Sequence, residues 1–327
     1  MNFIVMESVN CSGYLPLKRE NLPNMKLHGL CSSSLRLVLA VSLYLAGVAV
    51  SPGAPTPKRL LVVTTTEGFH HSSIPTAEKI LAEIGEKSGV FTVEYARVPY
   101  DTLKGADGKP DTAMVHEANT KVLAEKMSAE ALKHYDGVIF ANTTGDLPLP
   151  DKQAFLDWIK SGKAFMGMHS ATDTFRGHTP LDPYVEMIGA EFKHHDKQAE
   201  VDCIVQDPKS PATRHLPNPF HLKDEIYLMN GFEQSRVHAL LGLDKKPDGT
   251  EPGYFPIAWC KMYGKGRVFY TSLGHREDVW DPNTPESFKR ENPTSVSEAY
   301  QKHVLGGIKW ALGLEKGEAR PQLRPTK

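Results

Sequence analysis

Cysteine is scarce in this 327-residue chain and no charge sign dominates it; both absences narrow the field. The four cysteines, Cys11, Cys31, Cys203 and Cys260, include no Cys-x-x-Cys pair of the kind zinc and redox sites use. Cys203 and Cys260 lie in apolar strand-like runs, 201–205 and 257–260, where a buried free thiol is expected rather than a disulfide. Thirty-eight basic residues against 39 acidic ones leave a formal charge of -1, and no dense Lys/Arg cluster interleaves with aromatics, so nucleic acid is not an expected partner. No Gly-x-Gly-x-x-Gly follows a strand, which argues against a nicotinamide or flavin cofactor. Histidines in His-Glu-x-x-His or His-x-x-x-His spacing are missing too, so any metal site must be assembled from distant loops. There are no heptads, internal repeats or low-complexity tracts. What remains, with 40% hydrophobic residues, is a globular chain long enough to bury a sizeable core.

The amino-terminal stretch is set aside before the fold is read. After Met25, Lys26 and Arg36 precede an apolar block, 37–50, and then Ser51-Pro-Gly-Ala-Pro-Thr-Pro57. A short basic region, an apolar run too brief for a comfortable bilayer span, and small residues near Ala49 form a signal-peptide pattern. The expectation is an exported protein, periplasmic or extracellular, with no stable membrane span after cleavage and with Met25 as a candidate true start. The alternative is an uncleaved anchor, because Gly47-Val-Ala49 is only an approximation to a cleavage site. This divides the chain into a leader and linker at 1–57, a single domain at 58–316 and a tail at 317–327.

Strand and helix patterns alternate after the leader. The run 59–66 is β-branched and apolar; 74–89 then carries Ile80, Leu81 and Ile84 at helical spacing behind Pro75. Strands follow at 91–98, 136–142 and 164–168, the last two preceded by helices at 129–134 and 151–161. This order predicts an α/β fold with a doubly wound, mostly parallel sheet flanked by helices. Beyond Pro180 the pattern shifts to shorter strands and many prolines: 200–206, 225–230, 239–243 and a hairpin of 257–262 with 266–272 around Tyr263-Gly-Lys-Gly266. The second half is therefore β-rich and elaborated, and a helix at 296–312 closes the domain.

Three histidines directly follow predicted buried strands: His71, His169 and His275. If those strands are parallel, their carboxyl ends share the edge where open α/β sheets build ligand sites. Histidine suits that edge because it moves protons near neutral pH and ligates metals. Around His169, the run Gly167-Met-His-Ser-Ala171 resembles a nucleophile elbow, with small residues letting a strand turn sharply into a helix.

The motifs Gly68-Phe-His-His71-Ser-Ser-Ile74, Ala141-Asn-Thr-Thr-Gly-Asp146, Gly167-Met-His-Ser-Ala-Thr-Asp-Thr174, Pro211-Ala-Thr-Arg214, Pro256-Ile-Ala-Trp-Cys260, Tyr270-Thr-Ser-Leu-Gly-His275 and His303-Val-Leu-Gly-Gly-Ile308 together resemble the ThuA-like family, named for trehalose utilisation. The resemblance runs from about Arg59 to Leu314. It implies a fold similar to class I glutamine amidotransferases and flavodoxins, and a role in sugar metabolism beside a partner sugar dehydrogenase. Where the amidotransferases place a cysteine at the elbow this chain has His169, so glutamine amidotransferase chemistry is excluded. The family pattern selects His71 over His70 and His195 over His194 as the motif histidines, and sets Asp224-Glu225-Ile-Tyr227 beside them.

Three readings of these residues stay open. In the first, His71, His169 and His275 act as acid/base groups oriented by Asp173 or Glu225, on a carbohydrate such as a 3-keto-disaccharide whose carbonyl acidifies the neighbouring C–H. Phe69, Thr144, Asp146, His195, Glu225 and Tyr227 would then bind the sugar. In the second, His71, His169, His195 and His275 are candidate ligands for Zn or a similar divalent ion in a metal-assisted hydrolase, lyase or isomerase. The third is a sugar-binding module without catalysis on the same fold. A homo-oligomer is compatible with all three. Asp146 and Thr144 can equally be turn residues, and His303 reads as a packed helix residue.

Overall fold

The computed structural model describes residues 56–322 except Glu286. The leader, its apolar block and the end of the tail lie outside the described residues. In chain order the elements are β1 (Lys58–Val63), α1 (Ile74–Ser88), β2 (Phe91–Ala96), α2 (Thr112–Lys126), α3 (Ala129–Leu132), β3 (Gly137–Ala141), α4 (Lys152–Lys160), β4 (Ala164–Met168) and α5 (Pro183–Ile188). Then follow β5 (Glu191–His195), β6 (Ala199–Val205), β7 (Phe220–Asp224), β8 (Tyr227–Asn230), β9 (His238–Lys245), β10 (Pro252–Tyr263), β11 (Gly266–Thr271), α6 (Glu277–Trp280) and α7 (Thr294–Ala311).

Nine strands form one sheet in the order β2-β1-β3-β4-β11-β10-β9-β6-β7. The first five run parallel, and the hairpin of β10 and β11 reverses the direction and opens an antiparallel extension. A separate two-stranded ribbon pairs β5 with β8. The parallel strands read as unbroken apolar runs because helices cover both faces. In β1, Leu60 and Val62 join the core under α1 and α7 with Ile80, Leu81, Val304 and Ile308. Leu61 and Val63 point the other way, into the core under α2, α4 and α5 with Leu123, Phe155 and Ile188.

The strand order explains where a site can form. The connection out of β1 leads to β2 on one side and the connection out of β3 leads to β4 on the other, so a crevice opens between the carboxyl ends of β1 and β3. Because β11 rejoins the parallel set next to β4, the chain after residue 271 returns to the same edge more than two hundred residues after β1.

The structure adds elements that the sequence pattern does not predict, among them α2, α5, β5, β7 and α6, and it lengthens the domain. Helix α2 went unread because only Val115, Asn119 and Leu123 are buried along its 15 residues, too few for an apolar stripe. The domain also extends past 316. The Trp310 indole donates to the Gly317 carbonyl, Cys260 Sγ to Glu318, and His238 meets both the Arg320 carbonyl and Gln322. Cys203 and Cys260 are both buried free thiols, and burial pushes their pKa upward, away from reactivity. No helix of the described residues is long and apolar enough to cross a membrane.

Candidate functional site

At the carboxyl ends of β1, β4 and β11 the loops bring His71, His169 and His275 together, and the turn between β7 and β8 adds Glu225. One ligand atom from each of these four residues lies within 4.8 Å of the others. The imidazole centroid of His71 stands 4.8 Å from that of His169 and 5.3 Å from that of His275, both near perpendicular, and those of His169 and His275 are 5.0 Å apart at 69°.

His169 is held most rigidly. Strand β4 ends at Met168, and His169 takes a left-handed φ of 47°, a conformation that costs a non-glycine residue about 1–3 kcal/mol and persists only where surroundings enforce it. They do so here. The Tyr270 hydroxyl donates to the His169 carbonyl at 2.6 Å, and His169 Nδ1 donates to the Ser272 carbonyl at 3.0 Å. A carbonyl can only accept, so the proton sits on Nδ1 and the Nε2 lone pair faces inward. That lone pair lies 3.2 Å from His275 Nδ1 and 3.7 Å from Glu225 Oε1; His275 Nδ1 is itself 3.3 Å from the same oxygen.

The protonation states follow from burial and charge. Desolvation, reinforced by the neighbouring imidazoles, pushes His71 down to about 3 and His169 well below the usual histidine range, so both are neutral at pH 7. Burial lowers His275 as well, but its hydrogen bond to Glu225 and the nearby carboxylates of Asp224 and Glu277 outweigh it and raise the pKa. His275 Nδ1 can hold one proton at most, so the triangle of His169 Nε2, His275 Nδ1 and Glu225 Oε1 carries more lone pairs than protons.

The edges of that triangle suit a metal ion. Ligands 2.0–2.1 Å from a tetrahedral zinc stand about 3.3–3.4 Å apart, against the 3.2, 3.3 and 3.7 Å seen here. His71 offers a fourth donor, and its Nδ1 lies 3.4 Å from Ser170 Oγ. Imidazole with one carboxylate is a donor set for zinc and its first-row neighbours rather than for calcium or magnesium.

The remaining predicted residues fall around this centre. His195 is not in the four-residue cluster; its Nδ1 donates to the Asp196 carbonyl at 2.9 Å and lies 3.2 Å from Glu225 Oε2, beside the oxygen turned away from His169 and His275. Tyr227 packs its ring 4.5 Å from His169, backed by Phe192 at 4.1 Å. Two assignments need correction. Asp173 pairs through Oδ1 with Arg176 Nε rather than with a histidine of the cluster, leaving Oδ2 toward the cleft, and it is Glu225 that stands beside His275. Thr144 is fully buried with its hydroxyl donated to the Phe69 carbonyl at 2.9 Å, so it fixes the loop and is closed to a ligand. Asp146 is exposed and paired with His178, and Phe69 sits at the mouth with its ring 4.8 Å from that of His71. Of the two doubled histidines, His70 turns from the cluster and stacks on Tyr100 at 3.9 Å, and His194 is exposed.

Asp224 is the residue sequence reasoning passed over. Fully buried, it accepts from the backbone N–H of Gly274, Glu225 and Arg276 at 2.7, 3.0 and 3.1 Å, which binds the Glu225 turn to the His275 loop. Burial raises its pKa to about 6 against the pull of those hydrogen bonds. The adjoining Arg276 is no substrate contact, since its guanidinium is buried in a two-pronged pair with Asp278. Gly274, at φ 112°, could not carry a side chain: a Cβ there would meet Tyr300 Oη at 2.7 Å and Trp280 Nε1 at 2.8 Å. The signal for Asp224 was its place beside Glu225, but two of its backbone partners, Gly274 and Arg276, lie 50 and 52 residues on.

Comparison with known proteins agrees with this architecture. A ThuA-like protein from Parabacteroides merdae superposes with a TM-score of 0.56 at 18% identity, over 83% of this chain and 94% of that one. Another from Bacteroides uniformis gives 0.51 at 17%, over 80% and 94%. At such identities the likeness establishes the fold alone. No curated protein matches the chain. The family model for ThuA, described as trehalose utilisation, spans residues 59–311, which takes in β1 through α7 and all four residues of the cluster; the chain belongs to the ThuA family.

Proposed function

We propose that this protein is a metal-dependent enzyme acting on a carbohydrate, with a zinc-type divalent ion held by His71, His169, His275 and Glu225. The observation that carries the reading is the inward lone pair of His169 Nε2, set within tetrahedral distance of His275 and Glu225, three atoms that share at most the one proton of His275 Nδ1. When bound, such an ion polarises a substrate carbonyl or hydroxyl and lowers the pKa of bound water. The protein's part is to orient: Ser272 fixes the His169 tautomer, Asp224 fixes the Glu225 and His275 loops, and His195 stands beside the second oxygen of Glu225. Tyr227 gives the centre an apolar wall.

The substrate class follows from the family's description and from the chemistry available. An oxidised disaccharide, such as a 3-keto sugar supplied by a sugar dehydrogenase, presents a carbonyl for the metal and an acidified C–H for a base, so lyase, isomerase or hydrolase steps need no strong nucleophile. The reading includes export, with 37–50 as the apolar core of the signal. The test is metal content of the purified mature protein by mass spectrometry, followed by incubation with 3-keto-trehalose and with trehalose. Stoichiometric metal with turnover of the keto sugar is expected. Metal-free protein that turns over neither sugar would sink the proposal, and bound sugar without turnover would replace it with a binding module.

A further inference from the structure

One bulky apolar side chain stands out at the mouth of the site. Phe69 is 66% exposed, whereas His71, two residues on, is 3% exposed. The loop that displays Phe69 is tightly held: Glu67 N–H donates to the Thr144 carbonyl at 2.9 Å, Thr144 Oγ1 donates back to the Phe69 carbonyl at 2.9 Å, and a Cβ on Gly145 would lie 2.9 Å from Gly68 N. From the other side, Asn119 of α2 donates to the Thr66 carbonyl at 2.8 Å and to Glu67 at 2.9 Å. A fixed, exposed aromatic face is a feature of surfaces that receive a ligand.

Beside it is a cavity of about 360 Å³ lined by Gly68, Phe69, Gly145, Asp146, Asp173 and Arg176. That volume falls within the usual range for small-molecule sites. The polar lining is two carboxylates and one guanidinium. Asp173 is paired through Arg176 Nε, the Arg176 guanidinium lies over the Phe192 ring at 5.2 Å, and Phe192 packs on Tyr227, which in turn packs on His169. Asp146 stands on the rim with His178.

We infer that this cleft is the subsite for a neutral pyranose ring, stacked on Phe69 with its hydroxyls donated to Asp146 and Asp173 and received from Arg176, and that it selects against phosphorylated or acidic sugars. The stacking follows from the C–H face that a pyranose shares with any apolar platform. The selection follows from charge: the lining itself carries Asp146 and Asp173 against Arg176, with His178 outside it on the rim beside Asp146, so a phosphate entering the cleft meets carboxylates whose juxtaposition is unfavourable. The inference deepens the functional reading above and rests on it for the reacting centre; Phe69 touches His71, so a ring seated there lies directly beside the cluster.

The experiment is calorimetric titration of zinc-loaded protein with trehalose, 3-keto-trehalose and trehalose 6-phosphate, on the wild type and on Phe69→Ala and Phe69→Trp, with zinc content measured in each sample. A neutral disaccharide is expected to bind the wild type, Phe69→Ala to weaken it by roughly tenfold, and Phe69→Trp to keep it. The 6-phosphate is expected to bind at least about tenfold more weakly than trehalose. Unchanged affinity in Phe69→Ala, tighter binding of the phosphate, or no binding of either neutral sugar to the wild type overturns the subsite. Zinc content separates the two readings. Phe69-dependent sugar binding in protein that retains no zinc would reject the metal centre and leave the subsite standing, and full zinc with Phe69-independent binding would do the reverse.

Discussion

At the level of single residues, the site is a problem of who holds whom. His169 is placed by its own strained backbone, by Tyr270 and by Ser272, and only its Nε2 is left to act. The histidines at strand ends were legible in the sequence because a residue after a buried strand must surface at the sheet edge. Which carboxylate joins them was not, and Asp173 and Glu225 stayed open, because Glu225 reaches the centre from an antiparallel turn and Asp173 is diverted by Arg176 three residues on. The distinction between ligand and outer partner gives a graded prediction. His169→Ala should abolish zinc retention and turnover with the fold intact, whereas His195→Ala, which frees only the second oxygen of Glu225, should cost roughly 10–100-fold in zinc affinity. Competition against a chromophoric chelator measures both; equal losses in the two variants would show that His195 binds the ion directly.

At the level of elements, α7 shows how much of the fold could be read and where reading stopped. Its apolar spacing was plain, and Gly306 and Gly307 read as close helix packing; a Cβ on Gly306 would lie 2.0 Å from the Pro211 carbonyl, and one on Gly307 2.4 Å from Phe269. By contrast α2 presents almost no stripe, yet through Asn119 it steadies the loop that carries Phe69 and His71. Among the α7 side chains, His303 is fully buried, with Nδ1 donating to the Ala212 carbonyl at 2.8 Å and Nε2 without a partner among the described residues. Burial lowers its pKa from the ordinary 6.5 to about 4. A folded pKa below the unfolded one means the unfolded chain binds more protons between those values, so stability is complete above about 6.5 and is lost as pH falls toward 4. The full loss from this group is on the order of 3 kcal/mol. Urea unfolding between pH 7 and pH 4 should therefore show a shallower decline in His303→Gln, which keeps a donor for Ala212 but does not titrate. An identical slope in the variant would remove His303 from the account of acid sensitivity.

For the molecule as a whole, the antiparallel extension decides whether the centre exists at all. Strands β1 and β4 supply His71 and His169 from the parallel half, but Glu225 comes from the β7–β8 turn and His275 from the end of β11, after the chain has crossed the sheet and returned. An α/β sheet with a β-rich second half was legible from alternation and proline content; that the second half folds back to complete the site was not, because the pairing of β11 with β4 joins residues about a hundred positions apart. An ion held by these four residues would therefore tie both halves of the sheet together, and its binding energy would add to folding energy if the unfolded chain holds it only weakly. At zinc one hundred times above the dissociation constant the gain is about 2.7 kcal/mol, or roughly 5–10 °C in Tm for a domain of this size. Thermal melts of chelator-treated protein with and without added zinc should show that rise, and Glu225→Gln should flatten it by removing the only carboxylate of the cluster. A melt indifferent to zinc in the wild type would mean that the two halves meet at this edge for some purpose other than holding a metal.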